Sequence, residues 1–332
     1  MNRFPFPQDF FKNAVHGVLV GIAFMVCPAY ALETYPSKSV RVIAAFPPGG
    51  FVDLGARVVS VALGAGLGQS FVVDNKPGAG GIVGTEVAAH AAPDGYTLIV
   101  GSVGTHAVNQ SLYKKLPYHV TNDFSPVTRL ADAPSILAVH PSLPVKNVLG
   151  LIRLARERPK QILYASAGSG TSTHLAAVLF ENLAGIQLVH VPYKGGGPAI
   201  VDVLSGQVPV TFGTAASVSA HTKNNQLRAL AVTAGQRSMV LPDLPTMAES
   251  GLPGYEMLNW LGLFAPAHTS QAIIERLNQE AMRVLRLSEV RERLNAAGAE
   301  PSALETKAFV LFAQQEVLKW SKVVSNTRMS AD

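Results

Sequence analysis

One cysteine occurs in 332 residues, Cys27, and it lies in an apolar N-terminal stretch. The body of the chain therefore has no disulfide, no thiol nucleophile and no cysteine metal site. Phe24-Met25-Val26 before it lacks the small residues expected ahead of a lipidated cysteine. Charged residues are scarce at 15%, against 48% hydrophobic, a balance that excludes intrinsic disorder. The net charge of +5 is dispersed, with no basic run or basic–aromatic stripe, so nucleic-acid binding has no footprint. No repeat of solenoid length is present, and the glycines and prolines follow no period. Past the N-terminus no apolar run reaches the roughly 18 residues of a membrane span. Gly-x-Ser-x-Gly, Walker A, His-Glu-x-x-His and His-x-His are all missing.

The N-terminus carries a different pattern. Arg3 and Lys12 precede an apolar stretch, Ala14–Val26, and Ala29-Tyr30-Ala31 fits a small-x-small cleavage site. This predicts a secretory signal peptide over residues 1–31, cut after Ala31, and export from the cytosol. An exported protein without disulfides must rest on its core, and about 300 residues bury enough surface for that.

Beyond it, short apolar strands alternate with helical patterns. Strands are predicted at 40–46, 71–73, 97–100 and 135–140, with helices at 53–67, 82–90 and 107–116. The alternation restarts: helices at 148–158, 174–183 and 199–205, strands at 162–165, 188–191, 208–212 and 227–232. Helical segments follow at 271–287, 289–297 and 306–324. β–α alternation implies parallel sheets with crossover helices. The expectation is an α/β chain of two lobes and a C-terminal helical segment, with breaks near Pro134 and Gly235. If the tail returns to the first sheet, the chain crosses between lobes twice and forms a hinged cleft.

In open α/β sheets ligands bind beyond the carboxyl ends of the strands. Three such loops share one chemistry. The first holds Phe46, Pro48, Gly49, Gly50 and Phe51, the second Ser102 and Thr105. The third runs through Ser166, Ala167, Gly168, Ser169, Gly170, Thr171 and Ser172. Glycine admits close backbone approach, helix first turns offer free N–H groups, and hydroxyls add donors. Such loops cradle anions without Arg or Lys, although the same residues also make plain caps and turns.

Other candidates are weaker. Gly78–Gly84 resembles a dinucleotide loop, the basis of an alternative nucleotide-dependent oxidoreductase, but Val83 stands where the third glycine belongs. His106 and His174 lack a third zinc ligand and read as local hydrogen-bonding or cleft-lining groups. Asp53 is either a catalytic carboxylate or a first-turn acid favoured by the helix dipole. Trp260 either lids a ligand or packs in the core.

The segments FPPGG, NKPGAGGIVGTEVAAHAAPDGYTLIVGSVGTHAVN, YASAGSGTSTHLA, VHVPYKGGGPAIVDVLSGQV, LPTMAESGLPGYE and WLGLFAPA occur in this order. As a set they resemble the substrate-binding proteins of tripartite tricarboxylate transporters, the Bug receptors. The resemblance implies a type II-like periplasmic binding protein, monomeric and non-catalytic, with no cofactor or metal. Lobe one would be 33–131 plus 236–332 and lobe two 132–235. The ligand would be a small organic carboxylate, held by the three loops and passed to transporter membrane subunits, or sensed without a transporter. Tyr193 and Lys194 match a landmark of the family. Phe51, Val52 and Gly213-Thr214 depart from its usual small, hydroxyl or acidic residues, which tilts the expected ligand towards a less polar acid.

Overall fold

In the computed structural model, residues 1–2, 35–238 and 242–325 are described. The expected signal peptide lies, but for Met1 and Asn2, outside them. The first βα run is β1 (Val40–Ala44), α1 (Phe51–Leu67), β2 (Phe71–Asn75), α2 (Ile82–Ala89) and β3 (Thr97–Ser102). β1 pairs parallel with both β2 and β3. α1 buries Val52, Ala56, Val59 and Leu63, one stripe at helical spacing, and ends at Gly68 with φ 71°. A fully buried Val or Leu contributes about 1.5–3 kcal/mol, so this stripe alone anchors the helix.

A wide helical turn, Gly104–Val108, runs into α3 (Asn109–Leu112). The expected helix over 107–116 stops early because Tyr113 turns extended. β4 (Phe124–Val139) follows, then α4 (Val148–Glu157), β5 (Leu163–Ser166), α5 (Ser172–Ala184) and β6 (Val189–Pro192). Next come α6 (Gly196–Leu204), β7 (Val210–Thr214), α7 (Ala215–Lys223) and β8 (Arg228–Val232). The chain closes with β9 (Leu258–Pro266), α8 (Gln271–Val284), α9 (Ser288–Ala296), β10 (Glu300–Pro301) and α10 (Thr306–Ser325).

The strand order is β2-β1-β3-β9-β4-β7-β5-β6, with β8 and β10 also on β4. Two purely parallel sheets were expected, and this is corrected. Parallel trios at each end, β2-β1-β3 and β6-β5-β7, are joined by long antiparallel strands. β4 pairs with β9 through Pro134, then with β7 and β8 from Ser135 and Ile136 onward. Only 135–140 was legible as strand, because Pro126, Arg129, Asp132 and Pro134 interrupt the apolar run. The structure accommodates the interruptions with register shifts between Pro126 and Thr128 and between Arg129 and Ala131. α7 was not foreseen, since AASVSAHTK has no apolar period.

β4 belongs to both halves of the sheet, and the described residues from Tyr35 onward cluster as one compact unit. α8 packs on β4 and α1, while α10 packs on the Gly104–Val108 turn, α3 and β4. Trp260 is fully buried, and its Nε1 donates to Glu316 Oε2 on α10 at 2.9 Å. It packs in the core and is no lid. No helix among the described residues is long and apolar enough to cross a membrane.

Candidate functional site

The strand ends of both sheet halves open on one cavity of about 750 Å³. Of the first predicted loop, Phe46, Pro48, Gly49, Gly50 and Phe51 all line it. So do Ser102 and, from the third loop, Ser166, Ala167, Ser169, Gly170, Thr171 and Ser172. Thr105 and Gly168 do not. Thr105 is fully buried behind Ser102, and Gly168 turns its carbonyl back into its own loop.

The first loop is held from behind by charge. Asp53 is 2% exposed, and its Oδ2 accepts from Gly49 N at 2.9 Å and Arg57 Nε at 3.1 Å. Asn75 Nδ2 donates to Asp53 Oδ1 at 2.8 Å and to the carbonyl of Phe46 at 3.0 Å. Burial by itself would raise the Asp53 pKa, but the hydrogen bonds from Arg57, Gly49 and Asn75 outweigh it and hold the carboxylate low. Asp53 thus pins a loop and does not face the cavity. From this loop Phe46, Pro47, Pro48, Phe51 and Val52 line the cavity.

The third loop is held by neutral groups. Thr173 Oγ1 accepts from Ala167 N at 2.9 Å and contacts Thr171 Oγ1 at 3.0 Å. Thr171 Oγ1 donates to the Gly168 carbonyl at 2.7 Å. Ser166 Oγ accepts from Gly168 N at 3.1 Å and lies 2.6 Å from His190 Nε2. His174 Nδ1 accepts from Gly170 N at 3.1 Å. The rings of His174 and His190 stack at 4.0 Å, with Tyr164 beyond His190 at 5.0 Å. Burial, then the neighbouring His190, lowers His174 to about 4, and burial lowers His190.

His106 lies behind the second loop, between Phe264 at 4.0 Å and Phe124 at 4.7 Å. Burial pushes it down to about 3, so it is neutral at pH 7. Its Nδ1 is 2.9 Å from Thr105 Oγ1, which also accepts from Ser102 N at 3.0 Å. The expectation of a local hydrogen-bonding role fits both His106 and His174.

The cavity also takes in residues that no sequence signal singled out: Asn109, Asn259, Ala297 and Gly298. They come from distant segments. Gly213 and Thr214 line it too, as does Lys194, the one charged side chain among the described lining residues. Three helices open on this space without a side-chain cap: α1 after Gly50, α5 after Thr171 and α6 after Gly195. Asn147 and Ser270 cap α4 and α8, which begin elsewhere, while Thr214, itself in the lining, caps α7 by accepting from Ser217 N. Uncapped first turns leave N–H donors and about half a positive charge at each helix end. Of the dinucleotide-like glycines Gly80 lines the cavity, while Gly84 serves packing. A Cβ on Gly84 would stand 2.7 Å from the Lys76 carbonyl and 2.9 Å from Ala45 Cα, so α2 lies against β1 only because that side chain is missing.

A cleft walled by loops from two sheet halves, lined by donors and one lysine, defines a solute-binding protein. The family profile described as "Tripartite tricarboxylate transporter family receptor" matches residues 55–329, and the chain belongs to that family. It is 37% identical over 315 residues to Protein BugT of Bordetella pertussis, covering 95% of this chain and 96% of that protein. Among solved structures it resembles R. palustris Rpa4515 with adipate, at 34% identity and TM-score 0.79, over 89% of this chain and 99% of that one. It also resembles MatC from Rhodopseudomonas palustris with bound malate, at 33% identity and TM-score 0.76, over 87% and 100%.

Proposed function

We propose that this chain is a periplasmic solute-binding receptor that takes up a small organic carboxylate without chemically changing it. It would serve a tripartite tricarboxylate-type transporter, with lobes at 33–131 plus 236–332 and at 132–235 closing on the acid. One observation carries the reading. Three uncapped helix N-termini open on a single cavity whose described lining includes Lys194 and no Asp or Glu. That field favours an anion and disfavours an amine. The adipate and malate in related structures support carboxylates in particular. Phe46, Phe51 and Val52 on one wall favour an acid with an apolar body.

A thermal-shift screen of mono-, di- and aromatic carboxylates against matched amines tests this. A binder at about 100 times its Kd should add roughly 2.7 kcal/mol of stability. Stabilisation by amines and by no carboxylate would overturn the reading. Export predicts a processed N-terminus at Leu32, read by N-terminal sequencing; intact Met1 on cytosolic protein would refute it.

A further inference from the structure

Asn109 lines the cavity where the Gly104–Val108 turn runs into α3, yet the residue is only 3% exposed. We propose that Asn109 is a specificity-determining residue whose side-chain oxygen requires a hydroxyl on the bound acid. The inference rests on the carboxylate reading above and narrows it. The ligand class becomes a hydroxycarboxylate, an anion that carries a neutral hydrogen-bond donor on its body.

The amide of Asn109 can face only one way. Its Nδ2 donates to the Gly80 carbonyl at 3.4 Å and to Tyr118 Oη at 3.2 Å. A carbonyl can only accept, so the amide nitrogen and not the oxygen must face Gly80. Tyr118 Oη gives its own proton to the Thr105 carbonyl at 2.9 Å, so towards Asn109 it too can only accept. Both amide protons are used, and Oδ1 is left as an acceptor that no flip can turn into a donor. Among the described residues nothing donates to Oδ1. The side-chain atoms that are both sealed from water and unpartnered are His106 Nε2 and atoms of the Arg129–Asp132 pair, and Oδ1 is not one of them. It therefore keeps access to the space that Asn109 lines.

The clamp on this amide is itself held. A Cβ on Gly80 would stand 2.9 Å from Tyr113 Oη, and one on Gly81 would stand 2.6 Å from Thr105 Cγ2 and 3.1 Å from Phe46 Cζ. The Gly80 turn is thus wedged among Tyr113, Thr105 and Phe46. Ser169, Ser172 and Asn259 line the same cavity with no side-chain hydrogen bond among the described residues, so each can turn to offer a donor or an acceptor. Asn109 has no such freedom. A ligand that displaces water from Oδ1 must donate in its place, or it leaves a buried acceptor unpaired. A carboxylate or an alkyl body cannot donate. An ammonium can, but the described lining holds no Asp or Glu to balance it, and three helices turn their positive ends to the cavity. A hydroxyl donates without bringing that charge.

Calorimetry with succinate, malate and aspartate tests this, because the three differ only in carrying hydrogen, hydroxyl or ammonium on one carbon. Phenylacetate and mandelate repeat the first comparison on an apolar body. In whichever series binds, the hydroxylated acid should bind at least about tenfold more tightly than its plain counterpart, and malate more tightly than aspartate. Asn109→Leu, similar in size without the oxygen, should bring each pair to within about threefold. Equal affinity of hydroxylated and plain acids for the wild-type protein would overturn the inference and leave the carboxylate reading standing. Tighter binding of aspartate than malate would overturn it too, as would a hydroxyl preference that survives in folded Asn109→Leu. If Asn109→Leu does not fold, the wild-type comparison still decides. Binding of none of these acids refutes the inference, and binding of amines in their place takes the carboxylate reading with it.

Discussion

The two walls of the cavity solve one problem with opposite chemistry. The Phe46–Phe51 wall is fastened from behind by a buried carboxylate and lines the cavity with aromatic residues, prolines and glycines. The Ser166–Ser172 wall is fastened by hydroxyls and neutral imidazoles and lines the cavity with serine, threonine and glycine. A carboxylate can sit beside an anion site only if its charge is consumed, and Asp53 gives its two oxygens to Arg57, Asn75 and Gly49. The donor wall has no such shield and contains no acid at all. The first wall is thus suited to set ligand shape and the second to hold ligand charge.

The sharpest break in this comparison is Asp53→Ala. It leaves the Gly49 N–H, the Asn75 amide and Arg57 without their acceptor, and should cost about 3 kcal/mol in urea unfolding. Asp53→Asn should cost less, because one acceptor oxygen remains. Acid should separate the walls next. His174 and His106 bind their protons near pH 4 and 3 in the folded chain, but near 6.5 when unfolded. Their stabilisation is complete above pH 6.5 and is lost as pH falls towards 3, at up to about 1.4 kcal/mol per pH unit for each histidine. Urea midpoints across that range should fall, and His174→Asn should flatten the fall.

Thr173→Val deletes the acceptor for Ala167 N and should cost about 1–2 kcal/mol of stability on the donor wall alone. Phe51→Ala should change stability little, since the ring is half-buried, but widen the cavity. Calorimetry should then show bulkier or more polar acids gaining several-fold relative to adipate. Lys194 is exposed, so Lys194→Met should weaken an anion by no more than about 1 kcal/mol, an effect that shrinks with added salt. A larger loss there would move the charge-holding role away from the neutral wall.

The loops that form these walls were readable because strand, glycine, hydroxyl and helix follow one another within ten residues. The division of labour inside them was not. Thr105 carries the same hydroxyl as a ligand donor would, and only the fold turns it away from the cavity that Thr171 lines. His190 was missed because nothing in VHVPY tells which face of the strand meets Ser166. That follows from the β5–β6 register, which sets Tyr164 beside His190 and Ser166 beside Pro192.

The sequence by itself determined the α/β alternation, the helix stripes and the three donor-rich loops, because these depend on local period and local backbone freedom. The tertiary structure alone decided that β4 and β9 weld two parallel trios into one sheet, since that pairing joins segments more than a hundred residues apart. It also decided which hydroxyls reach the cavity. A proton goes to whichever acceptor packing brings within about 3 Å, and no local pattern encodes that distance.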